Sequence, residues 1–472
     1  MSIDYAWYGA TADSIRLAAR CDANGLVTLT LSDGRVRTET ADTAVNDGVV
    51  LFPFDLSEPV TGTIEQGGAV YDYTMQIKPL SADALRVIYW SCAADEIKLF
   101  HAFRLMEAQQ PDLVICLGDF VYADASSQTL NGETSVTVRN QVIRTAGPDA
   151  YRPHYRMIMR DSSFKSLHSK TPFWFMWDDH EIFDGFCNGI NQANKYFTLD
   201  GAPAVEQATT QAHVTDIYNV ARQVFENEVG VVNPRNTDAG IDSDALYFRV
   251  RVGNLAEFVV PDLMTYRDLL SDRVGNLYVE TRPYYSSVDD PLRSMLYPTQ
   301  KAWYKDSLTN AETAGVVHKL ACMSKLAYHH NADAANNGDT FAAQSTVERD
   351  ELVVHFGTLT SAVWLSADSH QPSVFENPTY DFLCINACPI SSGLHQQGTG
   401  YNTNAYWKAW GYTGQPTDYP EQACRYVFGM IDITPEKQVH TMVDALMGNT
   451  AWGQHEVLAG GSATDTKQMR FG

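Results

Sequence analysis

The chain has 472 residues, of which 44% are hydrophobic and 11% aromatic, so it can bury a large core and form more than one domain. It carries 34 basic and 57 acidic residues, a net charge of −23, with no basic tract. A nucleic-acid polymer is therefore not an expected partner, because phosphate backbones are bound by clustered Lys and Arg.

The sequence contains no apolar run as long as a membrane span, and its N-terminus lacks the basic and apolar regions of a signal peptide. As written, it predicts a cytoplasmic protein; if a leader had been removed, a periplasmic or secreted location would be expected instead. The oligomeric state stays open. Eight scattered cysteines without a CxxC pair argue against a disulfide scaffold.

Residues 1–84 contain short runs with alternating polarity, separated by turn signals such as Asp33-Gly34 and Gly67-Gly68. Strands at this spacing predict a small antiparallel β-sandwich domain at the N-terminus.

The pattern changes at residue 85. "ALRVIYWSC" and "DLVICLGD" have the character of buried strands, and the segment between them has apolar residues at helical spacing. This order predicts a βαβ unit and an α/β domain over residues 85–472. A helical pattern at about 186–246 predicts an insertion in that domain.

Polar residues follow four predicted strands. They are Cys92, Asp119, the pair Asp179-His180, and Asp368 with His370. Each alone is a weak signal, because a cysteine there is usually a small buried hydrophobe and a Gly-Asp pair usually caps a turn. Ligands of open α/β sheets gather beyond the carboxyl ends of the strands, so we expect these side chains together at the edge of one sheet.

Carboxylates, imidazoles and a thiolate that converge without matching Lys or Arg repel one another unless a cation lies among them. Asp119 could bridge two ions, and Tyr122 could add a phenolate, which suits ferric iron. Carboxylates suit hard ions, whereas Cys92 and His370 suit a transition metal. Two neighbouring ions recur in the hydrolysis of phosphate esters.

Competing catalytic motifs are absent from the sequence: there is no GxSxG, HExxH, GxxxxGK[ST] or GxGxxG after a strand. The pair His329-His330 lies in a polar segment, "YHHNADAANNGD", and is interpreted as part of a solvated loop rather than as a ligand pair.

The segments "SCAADE", "PDLVICLGDFVYAD", "WDDHE" and "LSADSH" resemble, in order and spacing, the landmarks of the PhoD-type alkaline phosphatases of the calcineurin-like metallophosphoesterase superfamily. "AWYGATADSIRLAAR" and "MLYPTQKAWYKDSL" extend the resemblance over nearly the whole chain. It implies a four-layer αββα metallophosphoesterase core preceded by the small N-terminal β-sandwich domain. It also implies a phosphoric ester hydrolase in which a metal-bound hydroxide attacks phosphorus.

The resemblance further implies ferric iron (Fe³⁺) and calcium (Ca²⁺), with Mn²⁺, Mg²⁺ or Zn²⁺ as other candidates. The implied metal ligands are Cys92, Asp119, Tyr122, Asp179, Asp368 and His370. His180 would lie beside the phosphoryl group and act as the catalytic side chain. The residues expected to orient these groups or the substrate are Asp178, Glu181, Asp184 and Arg267.

The chain departs from the family pattern at three places: Asp184-Gly185 after "WDDHE", Met264 where the family has an Arg, and Ala367 before the last Asp. These departures leave the substrate and the second metal open, including preference for monoesters or diesters. Two other hypotheses stay open: a catalytically inactive homologue that binds metal or another partner on the same fold, and a purely structural calcium site. The latter explains neither Cys92 nor Tyr122.

Overall fold

The computed structural model describes residues 3–94, 96–124, 129–135, 147–182, 186, 195–197, 211–268, 277–279, 289, 291–328, 340–341, 345–370, 372–391, 407–408, 426–445, 451–461 and 467–469. Among the helices in these ranges, we find none with the length and hydropathy of a membrane span.

The first eight strands form two antiparallel sheets. The strands are β1 (Ile3–Ala10), β2 (Ser14–Cys21), β3 (Gly25–Leu31), β4 (Val36–Ala41), β5 (Val49–Asp55), β6 (Val60–Gln66), β7 (Ala69–Val70) and β8 (Met75–Ile77). One sheet has the order β1-β2-β5, and the other has the order β4-β3-β6-β7 with β8 beside β6. Val27 and Leu29 of β3 are buried in one apolar cluster with Leu17 and Phe52 of the other sheet. The strands predicted within residues 1–84 are therefore present.

The later strands are β9 (Leu85–Trp90), β10 (Leu113–Cys116), β11 (Thr129–Leu130), β12 (Glu133–Thr134), β13 (Phe173–Phe175), β14 (Lys195–Phe197), β15 (Phe248–Val252), β16 (Ala256–Val260), β17 (Leu277–Val279), β18 (His318–Cys322), β19 (Ala362–Ser366), β20 (Ser373–Asn377), β21 (Phe382–Asn386), β22 (Trp407–Lys408), β23 (Val427–Thr434), β24 (Lys437–Asp444), β25 (Ala451–Leu458) and β26 (Lys467–Met469). Sheet I has the order β13-β10-β9-β23-β24-β25-β26, and sheet II has the order β15-β16-β18-β19-β21-β20-β22.

The helices are α1 (Glu96–Ala108), α2 (Arg152–Met159), α3 (Ser162–His168), α4 (Gln211–Glu228), α5 (Leu263–Tyr266), α6 (Pro298–Thr313) and α7 (Thr346–Phe356). Short 3₁₀ turns occupy Gly147–Ala150, Asp179–Glu181 and Gly230–Val232. The predicted βαβ unit is confirmed, since β9 and β10 pair in parallel and α1 lies between them in the chain.

Alternation of side chains along β9 explains how sheet I is covered on both faces. Val87 and Tyr89 belong to an apolar cluster that also contains strand residues of sheet II. Ile88 and Trp90 belong to a second cluster with the apolar face of α1. Because successive side chains of a strand point to opposite faces, one strand contributes to both clusters.

The strand carrying Asp368 and His370 is not in the sheet where we expected it. β9, β10 and β13 are neighbours in sheet I, as predicted, whereas β19 pairs with β18 and β21 in sheet II. The expectation of one common sheet is wrong, because apolar runs identify strands but do not determine which distant strands pair. Sheet I also contains a strand from much later in the chain. This strand, β23, pairs antiparallel with β9, and Gly429 lies opposite Tyr89.

A buried ionic cluster links the first sheet to α4. Glu228, at the end of α4, is fully buried and lies 3.2 Å from Arg20 of β2 and 3.3 Å from Arg156 of α2. The hydroxyl of Tyr5 also donates a hydrogen bond to the Glu228 carboxylate. One acid thus accepts bonds from three different elements, which fixes the position of α4 against β1 and β2.

Candidate metal centre

Four of the predicted strand-end residues share an uncommon backbone conformation. Cys92, Asp119, Asp368 and His370 have positive φ angles of 61°, 53°, 71° and 52°. Non-glycine residues adopt this region uncommonly, and residues held in unfavourable backbone conformations cluster at functional sites. The tight turns direct each side chain beyond the end of its strand.

One group of side chains joins both sheets. Ligand atoms of Cys92, Asp119 and His370 lie within 4.8 Å of one another. The Tyr122 hydroxyl donates to Asp119 Oδ2 at 3.0 Å and lies 3.1 Å from His370 Nε2. The structure therefore brings together four of the six metal ligands that the resemblance implied.

A second group consists of carboxylates. Oxygen atoms of Asp119, Asp178, Asp179 and Asp368 lie within 4.8 Å of one another, and we call this set the acid cluster. Asp119 belongs to both groups, which is the position required of a bridging ligand. Asp178, expected only to orient its neighbours, lies in the acid cluster itself.

Glu181 holds the Asp119 turn against the Asp178 turn. Its carboxylate accepts hydrogen bonds from the backbone N–H groups of Asp119 at 3.1 Å, Phe120 at 2.5 Å and Asp178 at 2.8 Å. Burial raises the pKa of this carboxyl to about 8, although the backbone donors oppose the shift. These contacts agree with the predicted orienting role of Glu181.

Gly118 permits the same close approach. Its φ is +112°, and a Cβ built there would lie 2.7 Å from Asp178 Cβ. A side chain at residue 118 would therefore push the Asp119 turn away from the Asp178 turn.

His180 lies at the edge of the acid cluster and is held by a carboxylate. Its Nδ1 is 2.7 Å from Asp124 Oδ1, and its ring stacks on Tyr122 with centroids 4.1 Å apart. The His180 side chain is 20% exposed, so part of it is accessible to a substrate. His180 also lies within 4.8 Å of ligand atoms of Asp119 and Asp179, so the geometry allows metal ligation as well.

Lys325, which sequence reasoning missed, lies within the acid cluster. Its ammonium is fully buried, 2.8 Å from Asp178 Oδ2, 2.9 Å from Asp368 Oδ1 and 3.6 Å from Asp179 Oδ1. The buried Arg267, predicted as an orienting residue, lies 3.8 Å from Asp179 Oδ2 and donates from Nε to Phe186 O at 2.9 Å. The expectation of no matching Lys or Arg is wrong, because Lys325 comes from the segment after β18, outside the recognised segments.

Cys388 was also missed. Its Sγ lies 3.0 Å from Cys92 Sγ. Burial opposes ionisation of the Cys92 thiol, but the hydrogen bond from Cys388 and the nearby His370 hold the pKa of Cys92 well below its usual value. Lys325 and Cys388 follow β18 and β21 by two or three residues, so the strand-end criterion applied to those strands would have found both.

Asp124 lies inside the quoted segment "GDFVYAD", but sequence alone assigned it no role. Asp184 and the pair His329-His330 lie outside the described residues.

The PhoD-like phosphatase family matches residues 87–426. The chain belongs to this family. Alkaline phosphatase D of Bacillus subtilis (strain 168) is 27% identical over 221 residues, which are 46% of this chain and 34% of that protein. The match therefore spans about one third of that relative's length. The resemblance found in the sequence is confirmed.

Two solved structures share the fold of this family member. A structure of PhoD superposes with a TM-score of 0.73 at 16% identity and covers 99% of this chain and 92% of that one. A purple acid phosphatase from yellow lupin seeds superposes with a TM-score of 0.56 at 9% identity and covers 94% of this chain and 72% of that one. The predicted α/β class is confirmed.

The donor chemistry in this member of the family fits two different cations. Cys92 and His370 offer the softer sulfur and nitrogen donors that suit a transition metal. The acid cluster offers only oxygen, which suits a hard cation. Asp178 Oδ1 is buried without a hydrogen-bond partner among the described residues, so it is an acceptor that a cation could satisfy.

Proposed function

We propose that the chain hydrolyses phosphoric esters with two metal ions, as an alkaline phosphatase or phosphodiesterase. The observation that carries this proposal is the position of Asp119, whose carboxylate belongs both to the Cys92–His370 group and to the acid cluster. Two cations that share one carboxylate can contact one phosphoryl group together. Membership of the PhoD-like phosphatase family supports the same reaction class.

Ferric iron would be held by Cys92, Asp119, Tyr122 and His370. Calcium would be held by Asp119, Asp179 and Asp368, and Mn²⁺, Mg²⁺ or Zn²⁺ are alternatives at either position. When bound, the ions would supply an activated water as nucleophile and would offset the charge of the phosphoryl group.

The chain's own residues would position and protonate the substrate. Asp124 holds His180 through Nδ1, so that Nε2 can face the substrate and protonate the leaving oxygen. Arg267 and Lys325 neutralise part of the carboxylate charge, which allows an anionic ester to approach.

We further propose the boundaries of the catalytic unit: an N-terminal β-sandwich at 1–84 and a catalytic domain at 85–472, with an insertion at about 186–246. The αββα arrangement of four layers is supported by the two sheets, whose strands share one apolar cluster, and by α1 on the other face of sheet I.

Elemental analysis of protein purified without added metal, combined with an ester panel before and after chelation, tests the proposal. We expect iron in the protein and activity that chelation removes, and comparison of nitrophenyl phosphate with its bis ester measures the monoester or diester preference. Asp119→Asn and Cys92→Ala should lose both metal and activity. Calcium without a transition metal, or bound iron without turnover across the panel, would contradict the proposal.

The roles of two adjacent residues are tested separately. Asp179→Ala should lose metal, whereas His180→Ala should retain metal and slow turnover. Equal metal loss in both variants would identify His180 as a ligand instead.

A further inference from the structure

A cavity away from the metal centre lies between the N-terminal strands and the catalytic region. Its volume is about 670 Å³, and its walls are the β1–β2 turn, the end of β5, residues 232–237 and β15. None of the proposed metal ligands lines it. The volume is in the range of ordinary small-molecule sites, which is about 300–1,000 Å³.

The charge of this cavity is opposite to that of the whole chain. Its lining contains two carboxylates, Asp13 and Asp55, and five arginines, although the chain has a net charge of −23. The arginines are Arg16, Arg37, Arg235, Arg249 and Arg251. Such a concentration of guanidinium groups creates a local positive potential in an acidic protein.

Two of these arginines are already neutralised by nearby acids. Arg249 lies 2.7 Å from Asp238, and Arg251 lies 2.5 Å from Glu257. These ion pairs anchor β15 and account for the charges of Arg249 and Arg251. The argument for a bound anion therefore rests on the other three arginines.

Those three have little or no compensation. Arg16 and Arg37 form no ion pair within the described ranges, and Arg235 is 3.9 Å from Glu226. Arg16 is held in place by two hydrogen bonds to Val231 O, at 3.0 Å from Nε and 2.9 Å from Nη2. Burial, and then the charge of Arg235, lower the pKa of Arg16 to about 10. An anion in the cavity would relieve the repulsion between Arg16 and Arg235.

We propose that this cavity binds a small phosphate-bearing anion through Arg16, Arg37 and Arg235. Guanidinium groups match phosphate oxygens with paired hydrogen bonds, and several of them around one cavity favour a multiply charged anion. The site is distinct from the metal centre and does not depend on the proposed hydrolysis. Asn233, next to its wall, bonds the backbone of Phe175 in β13, so the site lies along the strand that leads to Asp178 and Asp179.

Isothermal titration of the metal-loaded protein with inorganic phosphate at low ionic strength tests the site. We expect two binding events, one at the metals and one at the cavity. Arg37→Gln and Arg235→Gln should each weaken the second event about tenfold, the loss expected for one charged hydrogen bond. Arg37 is exposed, so its replacement does not threaten folding.

Arg349→Gln is the matched control, because Arg349 is paired with Asp350 outside the cavity. Both phosphate events should be unchanged in this variant. Competitive inhibition of ester hydrolysis by phosphate reports on the metals alone and should be the same in every variant. Unchanged phosphate affinity in both cavity variants, whether the unmodified protein shows one event or two, would overturn the proposal.

Discussion

The Glu181 carboxylate accepts a hydrogen bond from the backbone N–H of Asp119 at 3.1 Å, and thereby ties the turn after β13 to the turn after β10. It makes two further bonds of this kind, to Phe120 and Asp178. Glu181 is fully buried and is not a proposed metal ligand. It nevertheless determines where the bridging carboxylate of Asp119 lies.

Glu181→Gln should destabilise this arrangement. In the unmodified protein both carboxylate oxygens accept backbone N–H bonds, and in the variant an NH₂ group would replace one of these acceptors. We expect a loss of about 1–3 kcal/mol in the free energy of unfolding and a lower metal content. Urea denaturation and elemental analysis measure the two effects. Glu39→Gln, on the exposed face of β4, is the control and should change neither. A fully metal-loaded Glu181→Gln protein would show that the Asp119 turn holds its position without these bonds.

Gly118→Ala should be more harmful than a comparable glycine substitution elsewhere. Gly132 also has a positive φ, of +79°, but nothing lies within 4 Å of a Cβ built there. Gly132→Ala therefore measures the backbone cost alone, about 1–2 kcal/mol. Gly118→Ala adds the clash with Asp178, for a further cost of about 1–3 kcal/mol, and should reduce metal content. Thermal unfolding of both variants is the measurement, and equal losses would contradict the steric explanation.

Asp124→Asn should slow turnover without releasing metal. The Asn side chain can no longer provide the charged acceptor that fixes His180 Nδ1, so the orientation of the ring is lost. We expect kcat to fall by about tenfold or more, within the range of a general acid contribution. Asp112→Asn, just before the start of β10 and paired with Lys78, is the control. If kcat were unchanged while metal content fell, Asp124 would have to act on the metals rather than on His180.

Lys325→Met should strengthen calcium binding and lower the free energy of unfolding of the metal-free protein. The substitution removes an ammonium that lies 2.8–3.6 Å from three carboxylates, so a divalent cation meets less repulsion. It also leaves Asp178 buried without its partner, at a cost of about 3–5 kcal/mol when no metal is bound. Calcium titration and unfolding with and without calcium measure both effects. Lys305→Met, which loses only a partly exposed pair with Glu351, is the control. Weaker calcium binding in Lys325→Met would show that the lysine orients the ligands instead of competing with the ion.

The sequence predicted the parts of the site that depend on local pattern. Apolar runs that end in polar residues located Cys92, Asp119 and His370, and apolar residues at helical spacing identified α1. It could not predict that β19 lies in a different sheet from β9, since non-local pairing is decided by side-chain packing over the whole chain. Lys325 can be picked out in the sequence as a residue that follows β18, but its role becomes apparent only once its acidic partners are placed around it.

The strand order of sheet I has a consequence for how the protein is made. β9, which leads to Cys92, has β10 on one side and β23 on the other, and β23 is synthesised long after β9 and β10. Until then, the nascent chain exposes an unpaired edge of β9, the kind of edge that invites pairing with other chains. The sheet around β9 is therefore completed only after β23 has been synthesised, and a chain interrupted before residue 427 would be prone to aggregate.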